Sequence, residues 1–185
     1  FTPKGALITL PRGGMLFRQG DPIQGFYALR RGELKISTLQ PDGKEAILSV
    51  LEPGNWFGEV LLPSEVRRFH DATALMPADV LVVPQKRFRA LMQRLAFAQA
   101  MAVLQTARVR VLYSLLEDAT LRTLRVRVAR RLLFLARGDA TLLAQASREV
   151  IHLSQEALAM MLGVSRQTLS GELPALAAAG VLRLG

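Results

Sequence analysis

Residues 153–173 read LSQEALAMMLGVSRQTLSGEL, and this stretch decides how the C-terminal part of the chain is built. Ser154 can cap a helix, with Gln155 and Glu156 in its first turn. Leu158 and Leu162 recur at helical spacing and give that helix an inward face, with the small Ala159 between them. Gly163 falls where a left-handed backbone would end the helix at no steric cost. Val164 then points inward, and Ser165 can cap a second helix whose first turn displays Arg166, Gln167 and Thr168. Two helices joined in this way form the helix-turn-helix arrangement, in which the first residues of the second helix reach base edges in the major groove. An ordinary helical hairpin buried in a core has the same local pattern, so the remainder of the chain must decide.

The second helix has two departures of its own. Gly171 supplies no side chain, and Pro174 lies inside the helix, lacks an N–H and should kink it. Residues 175–179 continue helical, with Gly180 as a C-terminal cap. Residues 149–153 and 181–184 read as short strands on either side of the motif, the latter as the first strand of a wing. Upstream, Arg122, Arg125, Arg127, Arg130, Arg131 and Arg137 stand in a segment without an acidic residue. Residues 128–135, VARRLLFL, nonetheless have an apolar side. This predicts a helix ending near Gly138-Asp139, with a basic outer face of the kind that touches the DNA backbone, Arg125 among its candidates.

The 185 residues carry a formal net charge of +9, which suits a polyanionic partner, but the excess is spread over both halves of the chain. The absence of cysteine excludes disulfides, thiolate chemistry and cysteine-ligated clusters. The most apolar region, residues 95–116, is interrupted by Gln99, Gln105, Arg108 and Arg110, so no membrane span is expected. No secretory signal is legible, and the first residue, Phe1, suggests a trimmed chain.

The first half has a different rhythm. Short apolar runs at 15–17, 26–29, 34–36, 46–51 and 80–83 alternate with Gly20-Asp21-Pro22, Arg31-Gly32, Pro41-Asp42-Gly43 and Pro53-Gly54. Each group is a turn signature, since Pro presets one backbone angle and Gly or Asp tolerates the positive one. Strand–turn units at such spacing argue for an all-β sandwich or barrel. A short helical turn starting near Gly58 would aim free N–H groups at an anion. Glu59 could accept from a sugar hydroxyl, and Arg68 could supply a bidentate fork for phosphate. Residues 85–117 then lack glycine and proline and predict one long helix. Val109, Leu112, Leu116 and Ala119 form a narrow apolar seam on it, with Met101 and Gln105 upstream on much the same face, suited to pairing with a second helix.

Gly20, Gly32, Gly43, Gly54 and Gly58-Glu59, followed by Arg68, are spaced as in the cyclic-nucleotide-binding β-roll of the Crp/Fnr family, which the chain resembles. The resemblance continues through residues 86–91, KRFRAL, resumes at the helix-turn-helix, and leaves only about residues 1–7 unassigned. It implies an α+β fold: an effector-sensing β-roll (a jelly roll) over 1–93, a long dimerisation helix and hinge over 94–120, and a winged helix-turn-helix domain over 121–185 with an incomplete wing. It also implies a cytoplasmic homodimer that binds palindromic double-stranded DNA, contacts RNA polymerase and responds allosterically to a nucleotide-like effector. DNA contacts would come from Ser165, Arg166, Gln167, Thr168, Ser170 and Arg125. The effector pocket would comprise Gly58, Glu59, Arg68, Phe69, His70, Leu112 and Tyr113. The family's cyclic-AMP binders follow the pocket Arg with Ser-Ala and hold the base with adjacent Thr and Ser. Here Phe69-His70 and Leu112-Tyr113 take those places, so the expected effector is not cyclic AMP held in the usual mode.

Other functions fit less well. A cupin-like metalloenzyme needs several histidines with a carboxylate, whereas this chain has only His70 and His152, in different domains. His70 beside Asp71 reads as a structural hydrogen-bonded pair. No nucleophile–base pairing is legible, so neither catalytic residues nor metal ligands are expected. Haem held by His or Met stays open. A nucleotide-sensing module acting through protein contacts is the remaining alternative, with residues 153–173 as the feature against it.

Overall fold

The computed structural model describes residues 6–58, 66–137 and 149–183. Two units emerge, residues 1–106 and 107–185. Among the described residues of the first, eight strands form: β1 (Ala6–Leu10), β2 (Met15–Phe17), β3 (Gly25–Arg31), β4 (Leu34–Leu39), β5 (Glu45–Leu51), β6 (Trp56–Phe57), β7 (Asp71–Ala74) and β8 (Ala78–Pro84). They make two antiparallel four-stranded sheets, ordered β1-β8-β3-β6 and β2-β7-β4-β5. Leu29, Leu34, Ala72 and Val80, each nearly inaccessible, belong to the core of this roll.

The turn glycines set the path. Gly32 has φ of 85°, and a Cβ there would lie 2.3 Å from Pro77 O, so both conformation and close approach require glycine. Gly20, Gly43 and Gly54 are also left-handed, as the turn signatures predict. Three strands were not legible in the sequence. β1 precedes the first apolar run and overlaps the unassigned stretch at Ala6 and Leu7, β6 has only two residues, and β7 buries the small Ala72 and Ala74 instead of a large apolar run.

The expected single helix over 85–117 is two helices, α1 (Gln85–Met92) and α2 (Leu95–Leu121). Gln93 and Arg94 break it without glycine or proline. The cause is tertiary: Phe88 and Phe97, one on each side of the break, pack edge to face with ring centroids 5.6 Å apart, and the Phe88 ring centroid lies 4.9 Å from that of Phe26 of β3. Phe26, Val83, Phe88 and Leu104 bury a second apolar cluster there.

The second unit holds the rest of α2, then α3 (Leu124–Ala136), α4 (Gln155–Leu162) and α5 (Arg166–Ala178). Val128, Leu158, Ala159, Leu162, Leu169, Leu173 and Leu176 form its core, with Val164 packed against them. Among the described residues neither expected strand is seen: residues 150–153 and 182–183 are irregular. Leu184 and the helix end expected at Gly138-Asp139 lie outside those residues. α5 runs on through Pro174, which sits on its exposed side.

Candidate nucleic-acid interface and effector site

The local chemistry of residues 153–173 folds as its sequence dictates. Ser154 Oγ accepts from Ala157 N at 3.1 Å, satisfying one of the free N–H groups that begin α4. Gly163 ends α4 in the left-handed region (φ 65°, ψ 35°), and the N–H groups of Gly163 and Val164 both donate to Ala159 O. Ser165 Oγ accepts from Thr168 N at 3.0 Å and caps α5. The buried face of α5 is Leu169, Leu173 and Leu176; Ala159, 3% exposed, adds no side-chain bulk to the buried face of α4.

That burial leaves Ser165, Arg166, Gln167, Thr168 and Ser170 exposed together on the first turns of α5. Ser165 Oγ and Thr168 Oγ1 lie 2.7 Å apart. The single Ser170 Oγ–H is within reach of both Gln155 Oε1, at 3.1 Å, and Arg166 O, at 2.9 Å, so this hydroxyl also links α5 to the start of α4. Gly171 is exposed, with nothing within 4 Å of where a Cβ would stand.

Arg122 and the arginines of α3 do not together form the outward basic face that the sequence suggests. Arg131 is buried, its guanidinium 5.8 Å from the Phe134 ring centroid. Arg127 is half-buried and donates to Leu162 O at 2.6 Å. Arg130 Nε lies 2.7 Å and 2.8 Å from the two oxygens of the buried Asp118 carboxylate, and its Nη2 donates to Ser114 Oγ at 3.2 Å. The hydrogen bond and charge of Asp118 hold the Arg130 guanidinium above its ordinary pKa. Arg122 pairs with Glu117 and Arg125 with Glu172, both with side chains about half exposed. The sequence missed these roles because acidic partners sit on neighbouring elements while α3 itself has none.

In the first unit, Arg68 is 2% exposed. Its guanidinium carbon stands 4.2 Å from the Phe17 ring centroid and 5.2 Å from that of Tyr27, and Nη2 donates to Gly25 O at 2.9 Å. Gly58 adjoins it: at φ 110°, a Cβ there would lie 3.2 Å from Arg68 Nη1, Gly25 O and Tyr27 Cδ2. The structure therefore brings Gly58 and Arg68 together, and adds Phe17, Gly25 and Tyr27, which the sequence did not single out. Their inward positions on β2 and β3 were the available signal.

Arg67 is bridged to Pro22 and Arg68 N donates to Asp21 O, after which the chain bends at Phe69 and His70. Phe69 is 53% exposed while Arg68 is buried. The Phe69 and His70 rings are neighbours, with centroids 6.4 Å apart. Asp71 accepts from Gln19 N at 2.7 Å. Leu112 and Tyr113 belong to the second unit and are exposed on α2 at 63% and 69%. Glu59, and the helical turn expected after Gly58, lie outside the described residues. Among those residues no cluster of His, Asp and Glu is arranged to hold a metal, and no helix is long and apolar enough to cross a membrane.

A chain carrying both a two-sheet β-roll with an interior arginine and a capped helix-turn-helix belongs to the class of one-chain sensor–reader proteins. Residues 7–95 match the cyclic nucleotide-binding domain model, and residues 126–185 match the Crp-like helix-turn-helix domain model. The chain is 34% identical to the cyclic AMP receptor protein of Thermus thermophilus over 176 residues, covering 95% of this chain and 78% of that protein. It is 29% identical to a CRP-like cAMP-activated global transcriptional regulator of Mycobacterium tuberculosis over 178 residues, covering 96% and 80%. The fold is that of FixK2 from Bradyrhizobium japonicum, with a TM-score of 0.81 at 20% identity, covering 98% of this chain and 88% of that one. The chain belongs to the Crp/Fnr family and is a transcription regulator of that family.

Proposed function

We propose that this regulator binds a two-fold-symmetric DNA site as a homodimer in the cytoplasm, reading bases with Arg166 and Gln167. The exposed cluster Ser165, Arg166, Gln167 and Thr168 on the capped start of α5 carries this reading. Arg166 suits guanine O6 and N7, and Gln167 suits adenine or a neighbouring polar edge. Ser165, Thr168, Ser170 and Arg125 bind backbone phosphates, which position the reader without specifying sequence. Val109, Leu112 and Leu116, each at least 47% exposed, supply the apolar seam for the partner helix. Output on DNA proceeds through contact with RNA polymerase, not through catalysis.

Selection of bound DNA from a random pool tests the reading. A palindromic site should be enriched, and Arg166→Ala should cost about 1–3 kcal/mol and relax preference at one base pair. An equal loss on all sequences would refute base readout, and failure to enrich a symmetric site would favour output through protein contacts.

The β-roll takes a small effector other than cyclic AMP in the usual mode. The interior engagement of Arg68 by Phe17, Tyr27 and Gly25 O supports this, since a phosphate must displace or share those contacts. Calorimetry with cyclic AMP and cyclic GMP on the full chain is the test. Tight cyclic-AMP binding would overturn it.

A further inference from the structure

The turn that presents the reading helix is held by a side chain from outside the helix-turn-helix. The last carbonyls of a helix have no N–H four residues on. At the end of α4, Ala159 O receives the N–H groups of Gly163 and Val164. Leu162 O lies one residue before the left-handed Gly163, at the negative end of the α4 dipole, and accepts from Arg127 Nη2 at 2.6 Å. Arg127 comes from α3, where its neighbour Val128 is fully buried and fixes that helix in the core. Leu162 and Val164 pack into the core on either side of the turn, but at Gly163 itself nothing lies within 4 Å of where a Cβ would stand, so the Arg127 contact acts on backbone that has no side-chain packing of its own.

We infer that Arg127 is a positioning residue for base readout. By clamping the Leu162 carbonyl it fixes the height and direction of the turn, and hence the placement of Ser165, Arg166 and Gln167 that follow it. The inference rests on the base-reading role proposed for α5. Base edges demand placement within roughly 0.5 Å, whereas contacts to phosphate are electrostatic and far more tolerant of displacement. Losing the clamp therefore weakens specific binding more than non-specific binding. An Arg127 that instead touched phosphate would weaken both alike.

The experiment uses the full chain as wild type, Arg127→Met and Arg127→Lys. Met keeps the buried stem and lacks the donor, while Lys keeps a donor and the charge. Affinity is measured over a salt series on the site enriched by wild type and on a scrambled duplex. The readout is the ratio of the two affinities within one preparation, so any inactive fraction cancels. Arg127→Met should lower that ratio by about tenfold, on the order of one mismatched base pair, with an unchanged salt slope. Arg127→Lys should recover most of the ratio. An unchanged ratio in Arg127→Met, an equal loss on both duplexes, or a slope smaller by about one would overturn the inference alone. If the wild type enriches no site, the base-reading role of α5 fails as well.

Discussion

Gly163 and Gly171 lie eight positions apart in the same motif, and alanine substitution should move stability in opposite directions at the two. Neither glycine has an atom within 4 Å of the position a Cβ would take, so steric contact contributes at neither site. At Gly163 the backbone is left-handed, with φ 65° and ψ 35°. An L-residue there costs about 1–2 kcal/mol, while the stiffer unfolded chain of the alanine variant returns about 0.4–1 kcal/mol. The expected net loss is on the order of 1 kcal/mol. Gly171 is inside α5 with ordinary helical backbone. Alanine there should gain about 0.5–1 kcal/mol through helix propensity. Urea denaturation followed by far-ultraviolet circular dichroism reads both effects at one protein concentration. With a slope of about 1–3 kcal/mol per molar, Gly163→Ala should lower the midpoint by roughly half a molar and Gly171→Ala should raise it by somewhat less. Trp56, the single tryptophan, stands on β6 in the other unit, so its fluorescence provides an internal reference. Gly163→Asn should cost less than Gly163→Ala, because Asn visits the left-handed region more readily. Shifts of the same sign for the two alanine variants would refute the reasoning.

Arg68→Ala removes a buried side chain from Phe17 and Tyr27 together with the donor to Gly25 O, and should destabilise the β-roll by about 2–4 kcal/mol in a Trp56 fluorescence melt. A loss below about 1 kcal/mol would show that the interior does not depend on the guanidinium. Gly171→Arg places a cation on the exposed side of α5 and should tighten DNA binding, steepening the salt slope by about one if it meets a phosphate. No change in either quantity would place Gly171 away from the DNA. Burial pushes the Glu45 carboxyl up, but donation from Lys35 and Ser37 and the Lys35 charge outweigh it and leave its pKa below the ordinary value. Its stabilising contribution is thus present above the unfolded carboxylate pKa and is lost as pH falls through the lower folded value. The stability advantage of wild type over Glu45→Gln should therefore hold at neutral pH and shrink in acid, and an advantage that grew in acid would contradict the sign.

What the sequence made legible was chemistry that closes within a few residues. The Ser154 and Ser165 caps, the left-handed Gly163 and the inward Leu158 and Leu162 each depend on near neighbours, and all four stand in the structure as read. The turn glycines were legible for the same reason, since a positive φ is a demand on one residue. The break between α1 and α2 was not, because it follows from Phe88 and Phe97 packing beside Phe26, more than sixty positions upstream in chain order. Arg68 lies between these cases. Its type and spacing pointed to a phosphate fork, but the aromatic rings of Phe17 and Tyr27 that hold it belong to strands about forty to fifty positions away.

Arg122 and the arginines of α3 carry the same lesson into electrostatics. A net charge of +9 suggests a strong field for steering toward DNA, yet formal charge counts every guanidinium equally. Arg122, Arg125 and Arg130 are matched by Glu117, Glu172 and Asp118, which lie within 3.0 Å of them, so at distance each pair acts nearly as a dipole. Arg131 is buried and Arg127 is committed to a backbone carbonyl. The helix that looked richest in DNA-directed charge thus spends most of it holding α2, α4 and α5 in place. Arg166 at the exposed start of α5 has no such charge of its own helix turn to answer to, since the first turn of α5 contains no acid. On the base readout proposed for α5, specificity is then a matter of where that helix is held as much as of which side chains it displays.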